Sequence, residues 1–467
     1  MLFNSLIFLL FAAVFYALWL GPFRHRSPLF RQGVLVVFSL VFYGWWKWAY
    51  IGLILASGLI DYTAALAMKR WPASRRWALF ASILGNLGIL AAFKYAGFLA
   101  ENLDLLGKSI GQDWGVQGAL PSLLDTLPVG ISFYTFQSMS YTIDVYRGRL
   151  EPTRNIVGFF AYLSLFPQLV AGPIVRASNL LPQVLLLPSP RPEQVREGFI
   201  LVLSGFVKKV VLADQLAPYV ETAFAGGSTT GSPLYWWLVT MMFAVQIYGD
   251  FSGYTDIARG LGKWMGFDFD VNFNHPYLAR SLRDFWRRWH ISLSTWFRDY
   301  VYIPLGGSRR GVLWGIGAMA ITMVVSGLWH GAAWTFVAWG AIHALVLAVE
   351  RLGALERRLP PVLVRSYTLL AVLFAWVMFR AESMAQAQGI CARMLGLGAE
   401  QTPWGHPIFG LFPLSVLLVF VAWEVAVARQ WHRPLFRDRL LPWTLAVFAL
   451  MAVFLRGPSA QFIYFQF

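Results

Sequence analysis

Ser326-Gly327-Leu328-Trp329-His330-Gly331-Ala332-Ala333-Trp334 lies at the middle of residues 311–349, a stretch of 39 residues without one Asp, Glu, Lys or Arg. Arg309 and Arg310 stand before it and Arg351 after it. A helix crosses a bilayer with about 20 apolar residues, so the stretch is long enough for two crossings. The reading is two spanning helices joined around His330. An imidazole is costly in hydrocarbon unless it faces a polar cavity, and an ionisable side chain at that depth is a functional candidate by default. Gly327 and Gly331 flank it, where a chain turns or a backbone comes close. The competing reading is a hydrogen-bonded packing residue, which is how His343 in the second arm reads.

Outward from that stretch the composition agrees. Charged residues make up 13% of the chain, about half of what soluble proteins carry, and apolar runs of membrane-spanning length recur. The chain therefore reads as an all-α polytopic membrane protein. Its formal net charge of +15 invites a nucleic-acid partner. The Arg and Lys residues instead sit in short loops between apolar runs, which is the positive-inside pattern, so membrane lipid is the expected surrounding and nucleic acid is not. Cys391 stands alone, which excludes an internal disulfide and a cysteine metal site. The seven His show no i, i+4 pair and no carboxylate cluster completes a set, so no metal is expected.

Spans are predicted near 3–20, 33–48, 49–68, 78–96 and 127–146. The first 20 residues hold no Lys or Arg, so the basic start of a cleaved signal peptide is missing and they read as a retained span. Arg24, Arg26 and Arg31, then Lys69, Arg70, Arg75 and Arg76, mark cytoplasmic loops; the loop 97–126, with Glu101, Asp104, Asp113 and Asp125 against Lys108, belongs outside. Arg147, Arg149 and Arg154 mark the next cytoplasmic loop, and the basic region 273–310 belongs on that side too. Three apolar segments intervene, 156–171, 198–217 and 233–249, so one of them must fail to cross. Segment 156–171, ending in Ala171-Gly172-Pro173, suits a re-entrant loop, at the cost of leaving Lys208 and Lys209 inside a span. Spans at 366–380, 408–428 and 441–456 complete about 11–13 membrane helices in a single domain over residues 1–467, with Arg357, Arg358, Arg365 and the run 429–439 cytoplasmic and both termini outside.

Between Pro276 and Pro304 the pattern predicts one amphipathic helix over 277–300, lying in the membrane interface. At about 100° per residue, Leu278, Leu282, Phe285, Trp286, Trp289, Leu293, Trp296, Phe297 and Tyr300 share one face, with Arg280, Arg283, Arg287 and Arg298 opposite. His290 falls at the boundary, where neighbouring cations such as Arg283 and Arg287 would disfavour its protonation. Further polar residues in apolar settings are Gln137, Gln168, Asp250, Ser252, Tyr254 and Asp256. Structural pairing is the ordinary role of such a carboxylate as Asp250, and direct function the rarer one.

The ordered stretches Leu127-Pro-Val-Gly-Ile-Ser-Phe-Tyr-Thr-Phe-Gln137, Phe166-Pro-Gln-Leu-Val-Ala-Gly-Pro-Ile174, 248–262, 273–307 and Ser326 to Trp334 resemble the membrane-bound O-acyltransferase (MBOAT) family. The likeness is nearest to its alginate-acetylating branch and more distant to its teichoic acid D-alanylating branch. The resemblance implies membrane helices with re-entrant and interfacial helices around a central funnel or tunnel. It implies His330 as the motif histidine and His290 at the second family position; Trp329, Arg287, Gln137, Gln168, Asp250, Ser252 and Tyr254 are the further substrate or tunnel candidates. The implied reaction moves an acyl group, acetyl first, from a cytoplasmic thioester to a hydroxyl outside a bacterial inner membrane. The donor would be acyl-CoA (acetyl-CoA) or a carrier-bound thioester, with no bound cofactor. Expected partners are periplasmic acetylation proteins and a cytoplasmic acyl carrier. The acceptor expected first is an alginate-type exopolysaccharide; another polysaccharide, teichoic acid or a protein hydroxyl would use the same machinery.

The chemistry fits independently. A neutral imidazole, with an ordinary pKa near 6.5, can accept a hydroxyl proton near neutral pH. No Gly-x-Ser-x-Gly elbow is present for an acyl-serine route. A second class stays open, a transporter or flippase using His330, Asp250 and the Lys208–Lys209 pair as a relay. Such transporters are often built from internal repeats, and none is visible here.

Overall fold

The computed structural model describes the whole chain except residues 125, 227–230, 355–357, 399, 437–438, 459, 461 and 464–467. Asp125, Arg357 and Arg437, counted above for topology, lie outside the described residues. Among the described residues there are helices and turns and no strand. Six helices are long and apolar enough to cross a membrane, Trp48–Arg70, Pro72–Ser109, Val312–His330, Trp334–Gly353, Pro361–Arg380 and Leu411–Ala428, and three shorter apolar ones are Leu6–Leu20, Pro28–Gly44 and Leu441–Phe454. Their outer faces are apolar: Leu6, Leu313, Val362, Leu411 and Trp443 are all exposed. A soluble monomer rarely shows so much contiguous apolar surface. The protein is an all-helical, multi-pass membrane protein.

The chain divides into two compact units, one of residues 1–202 and 257–270, the other of 203–256 and 271–467. In the first unit α1 (Leu6–Leu20) and α2 (Pro28–Gly44) pack through aromatic rings. Phe11 and Phe15 meet Phe38 on α2 and both stand edge-on to Phe166. α3 (Ile51–Arg70) and α4 (Arg75–Leu90) then meet α6 (Ile131–Tyr146) around a buried polar knot. Asp61 accepts from Ser82 and from Asn86 (2.8 Å), and Ser82 also reaches Thr142 at 2.9 Å. After α4 the helix does not stop where the sequence predicted a loop. It passes through a π-turn at Ala91–Tyr95 into α5 (Ala96–Ser109), so the expected loop 97–126 is helical as far as Ser109. Leu99, Leu103 and Leu106 carry the apolar spacing on, and the acidic residues between them masked it.

The segment expected to be re-entrant is α7 (Ile156–Ser164), then α8 (Phe166–Leu169) after a break at Leu165. Nine residues rise about 14 Å, under half the apolar thickness of a bilayer, so α7 does not cross by itself. Pro167 opens α8, and the Ser39 hydroxyl accepts from the Phe166 amide at 3.1 Å. α9 (Ala177–Leu186) and α10 (Pro192–Phe206) follow.

The second unit holds the stretch that opened the reading. α10 runs through a π-helical segment, Val207–Ala213, into α11 (Asp214–Ala225), and α12 (Pro233–Trp264) follows. The lysines that burdened the expected span 198–217 are neutralised there. Lys208 pairs with Asp256 at 2.7 Å, and Lys209 with both Asp214 and Asp250 at 2.8 Å.

Residues 277–300 do not form one interfacial helix. They break into α13 (Leu282–Trp286) and α14 (Ile291–Phe297), with a π-turn at Arg298–Tyr302. In a continuous helix the amides of Ile291 and Ser292 would bond the carbonyls of residues 287 and 288. Here Ile291 donates to the Asn272 carbonyl and Ser292 to the Asn272 side chain, while the Arg288 carbonyl accepts from Asn274. The aromatic stripe is buried in protein instead of lying on lipid: Leu282, Phe285, Trp289, Leu293, Trp296 and Phe297 are all core residues. The four arginines opposite are exposed, as the pattern implied.

α15 (Val312–His330) and α16 (Trp334–Gly353) are the expected pair, joined by Gly331 to Ala333. They approach through glycine. A Cβ on Gly327 would run into the Phe336 carbonyl, and one on Gly340 into that of Met323. Close approach at small residues is how membrane helices gain packing contact. The helices α17 (Pro361–Arg380), α18 (Met384–Met394), α19 (Leu411–Ala428) and α20 (Leu441–Phe454) complete the unit.

Candidate active site

His330 is the last residue of α15 and is 4% exposed. Three rings stand edge-on to it, Trp329 at 5.0 Å, Trp339 at 5.1 Å and Phe379 at 5.2 Å between centroids. The helix ends at His330 because Gly331 turns extended, with φ −159° and ψ 149°.

His290 stands at the start of α14 with φ 42° and ψ 55°, in the left-handed region that a non-glycine residue seldom occupies. Strain of this kind persists only where the surroundings over-determine it, and Asn272 does so here. Its side-chain oxygen lies 3.2 Å from His290 Nδ1, and it accepts from the Ser292 amide at 3.1 Å and the Ser292 hydroxyl at 2.9 Å. A peptide N–H can only donate, so the atom facing it is the oxygen. An amide oxygen can only accept, so Nδ1 must carry the ring proton and Nε2 the lone pair. Burial, not the neighbouring arginines, pushes the imidazole down to about 3. That corrects the sequence expectation, since Arg283 and Arg287 are both exposed. His290 is thus a neutral imidazole of fixed tautomer, suited to holding a hydrogen-bonded ligand more than to taking a proton for long.

The structure brings the two histidines to one indole. The Trp329 ring lies 6.2 Å from His290 and 5.0 Å from His330. Phe251, at 4.7 Å, and Phe273 close the other sides of His290. Asp250 does not join them. It is engaged by Lys209 and by the Ile463 amide at 2.7 Å, and Lys209 also reaches the Ala460 carbonyl. This buried ion cluster ties the π-segment to Ala460 and Ile463. Ser252 is buried, and Tyr254 rests against the Phe462 ring at 4.8 Å. Arg287 is exposed at the end of α13. Gln137 and Gln168 belong to the first unit, where both donate to the Tyr162 carbonyl at 3.0 Å. His343 packs between Phe285, Trp286 and Trp339. Among the described residues no group of three His, Cys, Asp or Glu is placed to hold a metal.

Sequence reasoning missed three residues. Asn272 fixes His290, yet nothing distinguishes it in a polar loop. Glu350 on α16 accepts from the Leu282 amide at 2.7 Å, the Arg283 amide at 3.2 Å and the Tyr367 hydroxyl at 2.7 Å, and so caps α13. A lone carboxylate ending a 39-residue uncharged stretch was a signal that could have been read. Glu424, facing His275 Nδ1 at 2.8 Å, is the third, a single acid inside an apolar helix.

Comparison with known proteins identifies the family. The family model for membrane-bound O-acyltransferases matches residues 150–386. The chain is 42% identical over 409 residues to the probable alginate O-acetylase AlgI of Azotobacter vinelandii, covering 85% of this chain and 79% of that protein. It is 33% identical over 405 residues to the peptidoglycan O-acetyltransferase of Helicobacter pylori, with 80% and 75% covered. A more distant likeness, 30% over 245 residues and 49% of this chain, joins it to the teichoic acid D-alanyltransferase of Streptococcus thermophilus. The chain belongs to the membrane-bound O-acyltransferase family and is an O-acyltransferase.

Proposed function

We propose that this O-acyltransferase moves an acetyl group from a cytoplasmic thioester, either acetyl-CoA or a carrier-bound form, to hydroxyls of an alginate-type exopolysaccharide on the outer side of the bacterial inner membrane. The observation that carries the reading is the pair of buried histidines against Trp329. His330 accepts the proton of the attacking hydroxyl as its oxygen bonds the thioester carbonyl carbon. The carbon–sulfur bond then breaks, and His330 returns the proton to the leaving sulfur. His290, with Nδ1–H committed to Asn272, offers Nε2 to orient a ligand. Low dielectric around the rings strengthens whatever stabilises the developing oxyanion. Periplasmic partner proteins would pass the group onward, and a cytoplasmic acyl carrier would deliver it. The greater identity to the alginate acetylase than to the peptidoglycan enzyme favours a polyuronate acceptor.

The test is acyl transfer per inserted molecule. His330→Ala and His330→Gln should both lose about 10²–10⁴-fold, because basicity and not shape is required. A packing histidine would give the opposite pattern, with Gln tolerated and Ala poorly inserted. Near-normal turnover in His330→Gln removes it from the chemistry. Acceptor choice is read by supplying de-acetylated alginate and peptidoglycan to the same preparation.

A further inference from the structure

Segment 272–277 carries a second left-handed histidine. Asn272 at its start fixes the His290 tautomer, and His275 further on has φ 47° and ψ 60°. A non-glycine residue seldom sits there, and a residue before proline, as His275 is before Pro276, prefers extended backbone. Such strain persists only where the surroundings over-determine it. What holds it lies on α19. Glu424 Oε1 stands 2.8 Å from His275 Nδ1, and an ionised carboxylate only accepts, so Nδ1 carries the proton. Phe420, one helical turn before Glu424, meets the Tyr277 ring at 6.2 Å, and the Tyr277 hydroxyl donates to the Ala244 carbonyl at 2.7 Å. The start of the segment is laid against the join of α13 and α14: the Asn274 amide donates to the Arg288 carbonyl and the Ile291 amide to the Asn272 carbonyl, each at 2.9 Å. Glu424 is the one charged residue between Leu411 and Ala428, it is 5% exposed, and its Oε2 is buried without a hydrogen-bond partner among the described residues. Lys208, a cation close enough to act on it, is itself paired with Asp256 at 2.7 Å. A carboxylate so placed in an apolar helix is expensive, and is a functional candidate by default.

We infer that His275 and Glu424 are positioning residues for the transfer reaction: their hydrogen bond anchors segment 272–277 to α19, so that Asn272 keeps the ring proton of His290 on Nδ1 and turns Nε2 to the ligand. The inference rests on the ligand-orienting role given to His290 above, and adds two residues that touch neither His290 nor the reacting groups. The linkage is short and every step in it is a contact. Glu424 accepts from His275, the left-handed turn at His275 sets the direction of the chain back to Asn272, and Asn272 accepts from His290. Without the anchor the turn relaxes toward the extended backbone its sequence prefers, and the rotation reaches Asn272 through two intervening residues. An error of about 1 Å in the placement of an orienting group costs about 10²-fold in rate. Tyr277 and Phe420 remain packed in that case, so the end of the segment stays in place while its start shifts.

The test is a double variant, His275→Gly with Glu424→Leu, of the full chain in proteoliposomes. Glycine takes the left-handed turn without strain, and removing both partners of a hydrogen bond strands neither, so insertion and melting temperature should stay near the wild type. Acetyl transfer from acetyl-CoA per inserted molecule should still fall about 10²-fold. Glu424→Gln, which keeps an acceptor oxygen facing Nδ1–H, should retain most of the transfer, and Glu424→Leu should not. The readout that a merely structural pair would not move is the His290 tautomer. Solid-state nitrogen NMR of protein carrying isotope-labelled histidine, with the His290 signals assigned against His290→Asn, should show Nδ1–H alone in the wild type and in Glu424→Gln, and both tautomers in the double variant. A double variant with wild-type transfer, or with His290 still wholly Nδ1–H, overturns the inference. So does a Glu424→Gln protein that loses as much as Glu424→Leu. Should His290→Asn keep full transfer, the ligand-orienting role of His290 fails, and the tautomer in the double variant still decides the anchor.

Discussion

Asn272 is the residue whose replacement tests the histidine arrangement most sharply. Asn272→Leu keeps the approximate volume and removes the acceptor shared by His290 Nδ1–H, the Ser292 amide and the Ser292 hydroxyl. The hydroxyl can rotate to another partner; the amide and the ring N–H cannot. Two buried donors stranded at about 1–3 kcal/mol each amount to about 2–6 kcal/mol, a large part of the 5–15 kcal/mol typical of folded domains. The left-handed turn at His290 also loses its clamp. Asn272→Asp supplies the control, since a carboxylate still accepts all three bonds. Its charge should raise the imidazole from about 3, because an anion favours the protonated ring. The sign for stability follows. In the wild type His290 is held neutral below its ordinary value near 6.5, so its contribution is full above that pH and fades as pH falls towards 3. In Asn272→Asp that acid loss should be smaller, while transfer should fall at a higher pH than in the wild type. Thermal melts of detergent-purified protein from pH 4 to 8, with acyl transfer at each pH, check both. If Asn272→Leu melts and transfers like the wild type, or Asn272→Asp behaves no better than Asn272→Leu, the tautomer argument is wrong.

Three other outcomes follow from the same contacts. Lys209→Met leaves Asp214 and Asp250 facing each other without their cation, and should cost about 3–5 kcal/mol, seen as poor insertion or a large drop in melting temperature; adding Asp250→Asn should recover part of it, and no recovery would discount the ion cluster. Arg287→Glu should raise the apparent KM for a phosphate-bearing donor with little change in melting temperature, since Arg287 is exposed; an unchanged KM counts against a role at the donor entry. Cysteines at Gln112 and Gln430, in a Cys391→Ser background, should differ in labelling by an impermeant reagent on intact cells if 97–126 lies outside and 429–439 inside, and equal labelling would sink the proposed topology.

What could be read from residues alone depended on whether a pattern was local. The α15–α16 pair was legible because 39 uncharged residues leave few alternatives and glycines mark the join. The apolar spacing likewise placed most other long helices. That segment 156–171 is too short to cross was also legible, from Ala171-Gly172-Pro173 at its end, whereas the break at Leu165 was not. The segment 277–300 was not. Its stripe of aromatics and opposing arginines has the periodicity of one helix, and only the backbone bonds to Asn272 and Asn274, distant in sequence, divert the amides that such a helix would have used. Periodicity reports which side is buried; it does not report whether lipid or protein buries it.

The same limit explains why Lys208 and Lys209 stood as a cost against the span 198–217. From sequence Lys208 and Lys209 look like a penalty on the span 198–217, since each isolated charge in hydrocarbon is expensive. Their partners Asp214, Asp250 and Asp256 come from the next turn and from a helix some forty residues on. Lys208 and Lys209, adjacent in the π-helical segment Val207–Ala213, enter different pairings. A polar residue in an apolar run is therefore ambiguous until its partner is known. Asp250, Lys209 and His343 resolve into pairing or packing, whereas His290 and His330 converge on one indole from elements that both break at the histidine itself. A helix that ends where its imidazole begins, and a left-handed residue pinned by a single amide oxygen, are costs that packing alone does not require. That asymmetry is the physical reason for separating these two histidines from the other buried polar residues of the chain.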